Sequence, residues 1–390
     1  MNRGNAEGGR GGANLPALRG HNEALLLDLL RAAGPAGLGR AELAARTGLT
    51  PQAVSKITAR LAAEGLVAEA GRDASTGGKP RTRLRLVPGA RHAVGVHLDR
   101  DALRAVRVDL AGGVVAEWSG PLDFGAGPEA VVDAVVRAVV RVSGGGGEAP
   151  PLLGVGVAAP GPLDWRSGVL GRVTGFPEWE GFPLREVLAG RLGAAVVVDK
   201  DTNAGVAAVG PGVLGGPGGA GGAGGPGGSG GPGGPGGPGG SGSGSSVYLH
   251  VGTGLGAGLR LDGAVYRGAR SGAGEFGHQV LRLDGPPCRC GGRGCLEVLC
   301  LEAVARGDLA EAARVLGEGA ANLVALLDVD RVLLGGRVVA GHPEVFVKGV
   351  QEVLAARVLT AGPPPLVARA PAGVAEGAAE LALAPLFGHG

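Results

Sequence analysis

From Asn22 the apolar residues Leu25, Leu26, Leu29 and Leu30 recur at the three-and-four spacing of an amphipathic helix, and the Gly34-Pro35 pair ends it. A second short helix is predicted over Arg40–Thr47, with Gly48 as its stop. Thr50 then starts a third: a hydroxyl suits the N-cap, and Pro51 suits the first helical turn, where an N–H would have no partner. This helix runs to Glu64 and stops at Gly65. Leu66–Ala70 and Thr82–Leu86 read as two strands, and the basic, glycine-rich stretch Gly71–Arg81 joins them as a hairpin. Helix, short turn, capped helix and basic hairpin are the layout of a winged helix-turn-helix, expected over residues 20–88. Residues 1–19 carry no apolar period and are expected to form a disordered arm.

Beyond Ala93 the pattern changes. Val94–Leu98, Ala105–Asp109, Val114–Trp118, Leu153–Ala158 and Ala195–Asp199 read as strands, with helices over Pro128–Val142 and Leu184–Leu192. Strands and helices alternate again after Val247, so the second domain, 92–390, is expected to be α/β. Residues 210–246 interrupt it without one charged residue, and nine Gly-Gly-X triplets run from Gly215 to Ser241. A collagen helix needs proline at the X position of Gly-X-Y, which is always glycine here. A disordered loop insertion is therefore the expectation, since closure entropy grows only slowly with loop length.

Charge sharpens the division. Residues 1–90 hold 13 Lys/Arg against 7 Asp/Glu, a net +6, which leaves −4 for the remainder of a chain whose total is +2. A basic head on a mildly acidic body suits contact with a polyanion, and double-stranded DNA is the expected partner. The polar, glycine-rich start has no signal-peptide core, and no apolar run is long enough to span a membrane, so a cytoplasmic protein is expected.

The four cysteines lie between Cys288 and Cys300, too close together for a disulfide framework. His278 with Cys288, Cys290 and Cys295 offers three thiols and an imidazole, a closed tetrahedral set for one structural zinc per chain. Glycines at 291, 292 and 294 allow the tight backbone that such a shell requires. Cys300 falls outside the spacing and reads as a small buried hydrophobe.

Gly274-Glu275-Phe276-Gly277-His278 followed by CxCGxxGCxE, ending at Glu297, resembles the signature of the ROK family of repressors, open reading frames and kinases. The resemblance extends to Gly154–Pro162, Asp199–Ala204, Gly252–Gly258, Leu333–Gly336 and Glu376–Ala379, in the family's order. It implies an actin-like (ribonuclease H-like) fold of two lobes with a cleft between them. It also implies that Asp201, Glu275, His278 and Glu297 face a sugar or sugar-derived effector, with Asp201 at the position of a kinase's general base. The alternative for Glu275 and Glu297 is that they only orient the metal ligands.

Departures from the family pattern are concentrated at the chemistry. Where its kinases carry an Asp-x-Gly-Gly-Thr phosphate turn, this chain has His97, Asp99, Arg100 and Asp101. Phosphate oxygens need bare backbone N–H groups at close range, and two carboxylates there would repel them. Lys200 replaces an asparagine of the sugar grip, and Gly175 stands where another asparagine is expected. The helical stretch after the cysteines, Val298–Asp308, is short for the family.

The chain is thus expected to be a regulator, a repressor first, of carbohydrate-related genes, with an inactive kinase-like domain. Thr50, Gln52, Ser55, Lys56 and Arg60 of the third helix and Arg72, Lys79 and Arg81 of the wing are the expected DNA contacts. A homodimer, or a dimer of dimers, would meet a palindromic operator. The rival from another class is an ATP-dependent hexose kinase with an appended DNA-binding head. A third reading is a regulator governed by a protein partner in place of a small molecule.

Overall fold

The leucine pattern after Asn22 lies on helix α1, Leu15–Ala33, in a computed structural model that describes residues 15–72, 82–144, 152–209, 244–357 and 362–389. The helix starts earlier than expected, so residues 15–19 are helical and not part of an arm; residues 1–14 lie outside the described residues. Strand β1 (Leu38–Gly39) precedes α2 (Arg40–Thr47) and α3 (Pro51–Ala63), and β2 (Val67–Arg72) and β3 (Thr82–Leu86) follow. Gly48 closes α2 in the left-handed region, φ 72°, with its N–H on Ala44 O. The strands pair antiparallel in the order β1-β3-β2, and most of the expected hairpin, 73–81, lies outside the described residues. Leu26, Leu27 and Leu30 of α1, Leu43 of α2, Val54 and Leu61 of α3 and Leu84 and Leu86 of β3 are buried as this unit's core.

The chain's other end belongs to the same unit, which the described residues up to Pro88 form together with those from Ala384. Phe387 is buried, with the Arg31 guanidinium 4.6 Å from its ring, and His389 Nε2 lies 3.0 Å from Asp28 Oδ1. The expected boundaries, 20–88 and 92–390, separate these partners. An apolar residue near the end of the chain has to be covered, and what covers Phe387 is more than 350 positions away.

The second unit, Gly89–Leu383, holds β4 (His92–Leu98), β5 (Ala102–Asp109), β6 (Val114–Pro121), α4 (Pro128–Ser143) and β7 (Leu152–Ala159). The short pair β8 (Leu163–Asp164) and β9 (Val169–Leu170), α5 (Leu184–Leu192), β10 (Val196–Lys200) and α6 (Asp201–Ala207) come next. Then follow β11 (Ser246–Val251), β12 (Leu255–Leu261), β13 (Ala264–Tyr266), α7 (Leu296–Ala305), α8 (Leu309–Leu327) and β14 (Arg331–Gly335). Elements α9 (Arg337–Gly341), α10 (Pro343–Ala356), β15 (Leu366–Arg369) and α11 (Val374–Leu383) complete it. The region expected as an insertion, 210–246, is outside the described residues up to 243.

Two five-stranded mixed sheets run β10-β7-β4-β5-β6 and β13-β12-β11-β14-β15. Helices α6 and α11 pack on each other, α11 also against β4 and β7, α6 also against β11 and β12. Glycine makes this approach possible. A Cβ at Gly258 of β12 would lie 1.9 Å from Thr202 O, and one at Gly377 of α11 would lie 1.7 Å from Ala204 O. Held from both sides, α6 carries Asp201 at its first position, where the helix N-terminus favours a negative charge.

Candidate functional site

The tightest polar cluster is built on the turn between β13 and α7. His278 ends a 3-10 turn, Phe276–His278, and Cys295 is the residue before α7. Between them Cys288 N bonds Gly292 O at 2.8 Å, and Gly291 N returns to Cys288 O at 3.0 Å. Gly294, φ 62°, lies so close to Arg282 that a Cβ would meet its carbonyl at 1.6 Å. The ligand atoms of His278, Cys288, Cys290 and Cys295 all fall within 4.8 Å of one another. Cys290 Sγ and Cys295 Sγ are 3.7 Å apart, as are Cys288 Sγ and His278 Nδ1. A tetrahedral zinc with ~2.3 Å bonds to sulfur has an S···S edge of about 3.8 Å, so these four groups fit one such ion. Cys300 stands apart: it is fully buried, donates to Ala312 O, and burial pushes its thiol up to about 12.

Against this cluster opens a cleft of about 480 Å³ whose lining includes Arg100, Lys200, Asp201, Glu275, His278 and Glu297. The four positions implied as effector contacts are therefore brought together. Glu297 Oε2 accepts from Leu255 N at 2.8 Å, and Glu275 Oε1 lies 3.2 Å from Lys200 Nζ. These bonds run to the β12 turn and to the cleft floor, not to a metal ligand. Asp201 accepts from Thr202 N at 2.6 Å. Lys200 is buried and also donates to Ala273 O. Behind it, buried Asp199 accepts from Asn203 Nδ2 at 2.7 Å and pairs with Arg267 Nε at 2.7 Å. The Arg267 guanidinium lies 4.4 Å from the Trp165 ring centre. Asp199 and Arg267, which fix the strand end presenting Lys200 and Asp201, are 68 positions apart, and no local pattern links them.

A second cavity, about 570 Å³, is lined by His97, Arg104, Tyr248, His250, Arg337 and Glu376 among others. Arg104 grips Glu376 with two bonds of 2.7 Å and Glu117 with one of 2.9 Å. Arg337 pairs with Asp101 at 2.7 Å, and Asp99 accepts from Thr253 Oγ1 at 3.0 Å. Burial works to raise the Asp99 carboxyl, but bonds from Arg100 N and Thr253 and the nearby charge of Arg337 hold it below the usual range. Burial, then the neighbouring His250, lowers His97 to about 4, so its imidazole is neutral at pH 7. Of the residues that replace the glycine-rich turn, Asp99 and Asp101 are thus engaged with the protein itself.

In the first unit α3 is capped as its sequence requires, Thr50 Oγ1 accepting from Ala53 N at 3.2 Å. Gln52, Ser55 and Lys56 are exposed. Arg60 is exposed too, but it pairs with Glu23 of α1. The side chain of Arg72, and Lys79 and Arg81, lie outside the described residues.

Comparison with known proteins agrees with this division. Residues 239–306 match the ROK family and residues 19–74 the MarR family. A xylose repressor of Bacillus spizizenii is 26% identical over 282 residues, 72% of this chain and 66% of that protein. The chain thus spans slightly less than two thirds of that relative's length. A glucokinase of Thermotoga maritima is 31% identical over 185 residues, 47% of this chain and 49% of its own. Among solved structures, a ROK family transcriptional regulator described as a homolog of the Escherichia coli MLC protein has a TM-score of 0.72. The match covers 95% of this chain and 97% of that one, at 19% identity, a likeness of fold.

Proposed function

For a chain that carries a ROK-family domain of actin-like fold behind a MarR-type winged helix, we propose a DNA-binding transcriptional repressor of carbohydrate-related genes. The single observation that carries this is the capped α3, with Gln52, Ser55 and Lys56 exposed on it, in the basic part of the chain. Gln52 suits an adenine edge, and Lys56 suits guanine or phosphate. Lys79, Arg81 and Arg72 would add phosphate or minor-groove contacts from the hairpin, and Thr50 at the helix start would contact the backbone. Arg60 is the weakest of these assignments, because Glu23 already holds it. The protein acts as a homodimer on two half-sites and shares the compartment of its DNA, the cytoplasm. None of the described helices is long and apolar enough to cross a membrane.

The second unit serves as the sensor. Asp201, Glu275 and Glu297, with the outer face of the His278 ring, receive a sugar or sugar derivative. His278, Cys288, Cys290 and Cys295 hold one structural zinc, which ties the turn after Glu275 to the start of α7, where Glu297 stands. Ligand occupancy favours one arrangement of the sensor and so changes the affinity of the head for DNA. The enzymatic reading, an ATP-dependent hexose kinase, draws support from Asp201 and from the glucokinase similarity. It is disfavoured by the self-engaged side chains where polyphosphate would bind.

Selection of bound fragments from a random DNA pool tests the regulator reading. A defined operator should emerge, bound with a log–log salt slope of about −5 to −9 for six to ten phosphate contacts. Lys56→Ala should weaken it by roughly 1–3 kcal/mol. Enrichment of no sequence, or undiminished binding by the Lys56→Ala, Gln52→Ala double variant, would remove the assignment of α3.

A further inference from the structure

Lys200 is the most deeply buried charged residue lining the cleft. Its side chain is 5% exposed, and its stem packs so closely on Gly161 that a Cβ there would lie 2.9 Å from Lys200 Cδ. One ammonium proton goes to Ala273 O and a second to Glu275 Oε1. Among the described residues these are its acceptors, so the third proton has none, and Lys200 lines the cleft. Glu275 differs in kind from its partner: 55% exposed, it reaches in from the cleft edge and can turn out to water. A buried cation whose counter-ion is a rim carboxylate can exchange that carboxylate for one that a ligand brings.

Two further cations line the same cleft, Arg100 and Arg289, and neither has a carboxylate partner among the described residues. Arg100 is held in place, its guanidinium 5.8 Å from the Phe176 ring centre. Three of the carboxylates present are already engaged: Asp99 with Thr253 and Arg100 N, Glu297 with Leu255 N, and Glu275 with Lys200. Glu302, exposed on α7, and Asp201 remain, and Asp201 is placed to accept from ligand hydroxyls. Donor-only cations at the floor and rim, with hydroxyl acceptors between them, call for a ligand that is both polyhydroxylated and anionic.

We infer that the cleft selects an anionic sugar derivative, one carrying a carboxylate or a phosphate, and that Lys200, with Arg100, reads the negative group in exchange for Glu275. The inference rests on the effector reading above and narrows it to a ligand class. Calorimetry on the full, metal-loaded chain with glucose, glucuronate and glucose 6-phosphate tests it. At least one anionic sugar should bind about tenfold or more tightly than glucose, an advantage that shrinks with added salt. The two anionic arms tell carboxylate from phosphate. Lys200→Gln should abolish most of the advantage, and Arg100→Ala, a change at a partly exposed side chain, should reduce it about threefold or more. The second variant decides the matter if the first does not fold. Glucose binding as tightly as both anions, or an unchanged ratio in both variants, overturns the inference and leaves a neutral effector standing. Binding of no sugar at millimolar concentration overturns the effector reading with it.

Discussion

The two cavities of the second unit differ less in size, about 480 and 570 Å³, than in what their polar groups are already doing. In the larger, Arg104 is spent on Glu376 and Glu117, Arg337 on Asp101, and Asp99, which lines both cavities, on Thr253, so that of its three arginines Arg369 alone has no carboxylate partner among the described residues. His97 is neutral there. In the smaller, Asp201 bonds its own helix start, Lys200 keeps a proton without an acceptor, and Arg100 and Arg289 have no counter-ion among the described residues. Charged groups that satisfy one another stabilise a fold and have little left for a ligand. Uncommitted donors and acceptors, not volume, locate the site where a ligand gains most.

That contrast can be broken at several points. The largest effect should come from the His278, Cys288, Cys290 and Cys295 cluster beside the smaller cavity. Metal binding is worth on the order of 10 kcal/mol to the structure around a Cys/His site. Freshly purified protein should contain about one zinc per chain, and Cys290→Ser should lose most of it, together with ligand binding in the cleft. DNA binding by the head should persist, and full zinc retention in that variant would contradict the assignment. At the larger cavity the expectation is reversed, with stability affected and ligand response spared. Glu376→Ala strips Arg104 of its bidentate partner but leaves Glu117, so a loss of about 2 kcal/mol is expected in urea unfolding. A variant of normal stability that no longer responds to ligand would make the larger cavity the functional one.

A comparable effect should appear with pH. His97 has a folded pKa of about 4 against 6.5 for the free side chain, so the unfolded chain takes up its proton first as pH falls. Its neutral form therefore carries no cost above pH 6.5, and stability is lost progressively from there to pH 4, by about 3 kcal/mol at most. His97→Gln removes the titration, and its stability should fall less steeply over that window. Curves of equal slope for the two proteins would show that His97 is not held neutral.

What the sequence disclosed follows the range of the interactions. The His278, Cys288, Cys290 and Cys295 cluster, within eighteen residues of chain, and the Thr50 cap, acting three residues ahead, are local, and spacing alone reveals them. Strands β4 to β7 and β10 and helices α4 and α5 were legible for the same reason, since each follows its own apolar period, whereas beyond Val247 only the alternation of strands and helices was. The cleft was legible only through family motifs, because Lys200, Glu275 and Glu297 come from separate elements. Long-range pairings were not legible at all. Arg104 and Glu376 are 272 positions apart, and Phe387 finds its cover on α1. Arg60 illustrates the limit within one helix: its face is polar as expected, yet Glu23 of α1 already occupies it.

Titration of the full chain with magnesium ATP, followed by a coupled assay with glucose and other hexoses, tests the contrast between the cavities most directly. Phosphoryl transfer depends on holding the donor and neutralising its charge, and a general base alone contributes typically about 10²–10⁴-fold once both substrates are in place. With Asp99, Arg100 and Asp101 in the phosphate turn, no saturable nucleotide binding and no hexose-dependent turnover are expected, although Asp201 is present. Micromolar ATP binding with hexose-dependent ADP release would contradict it.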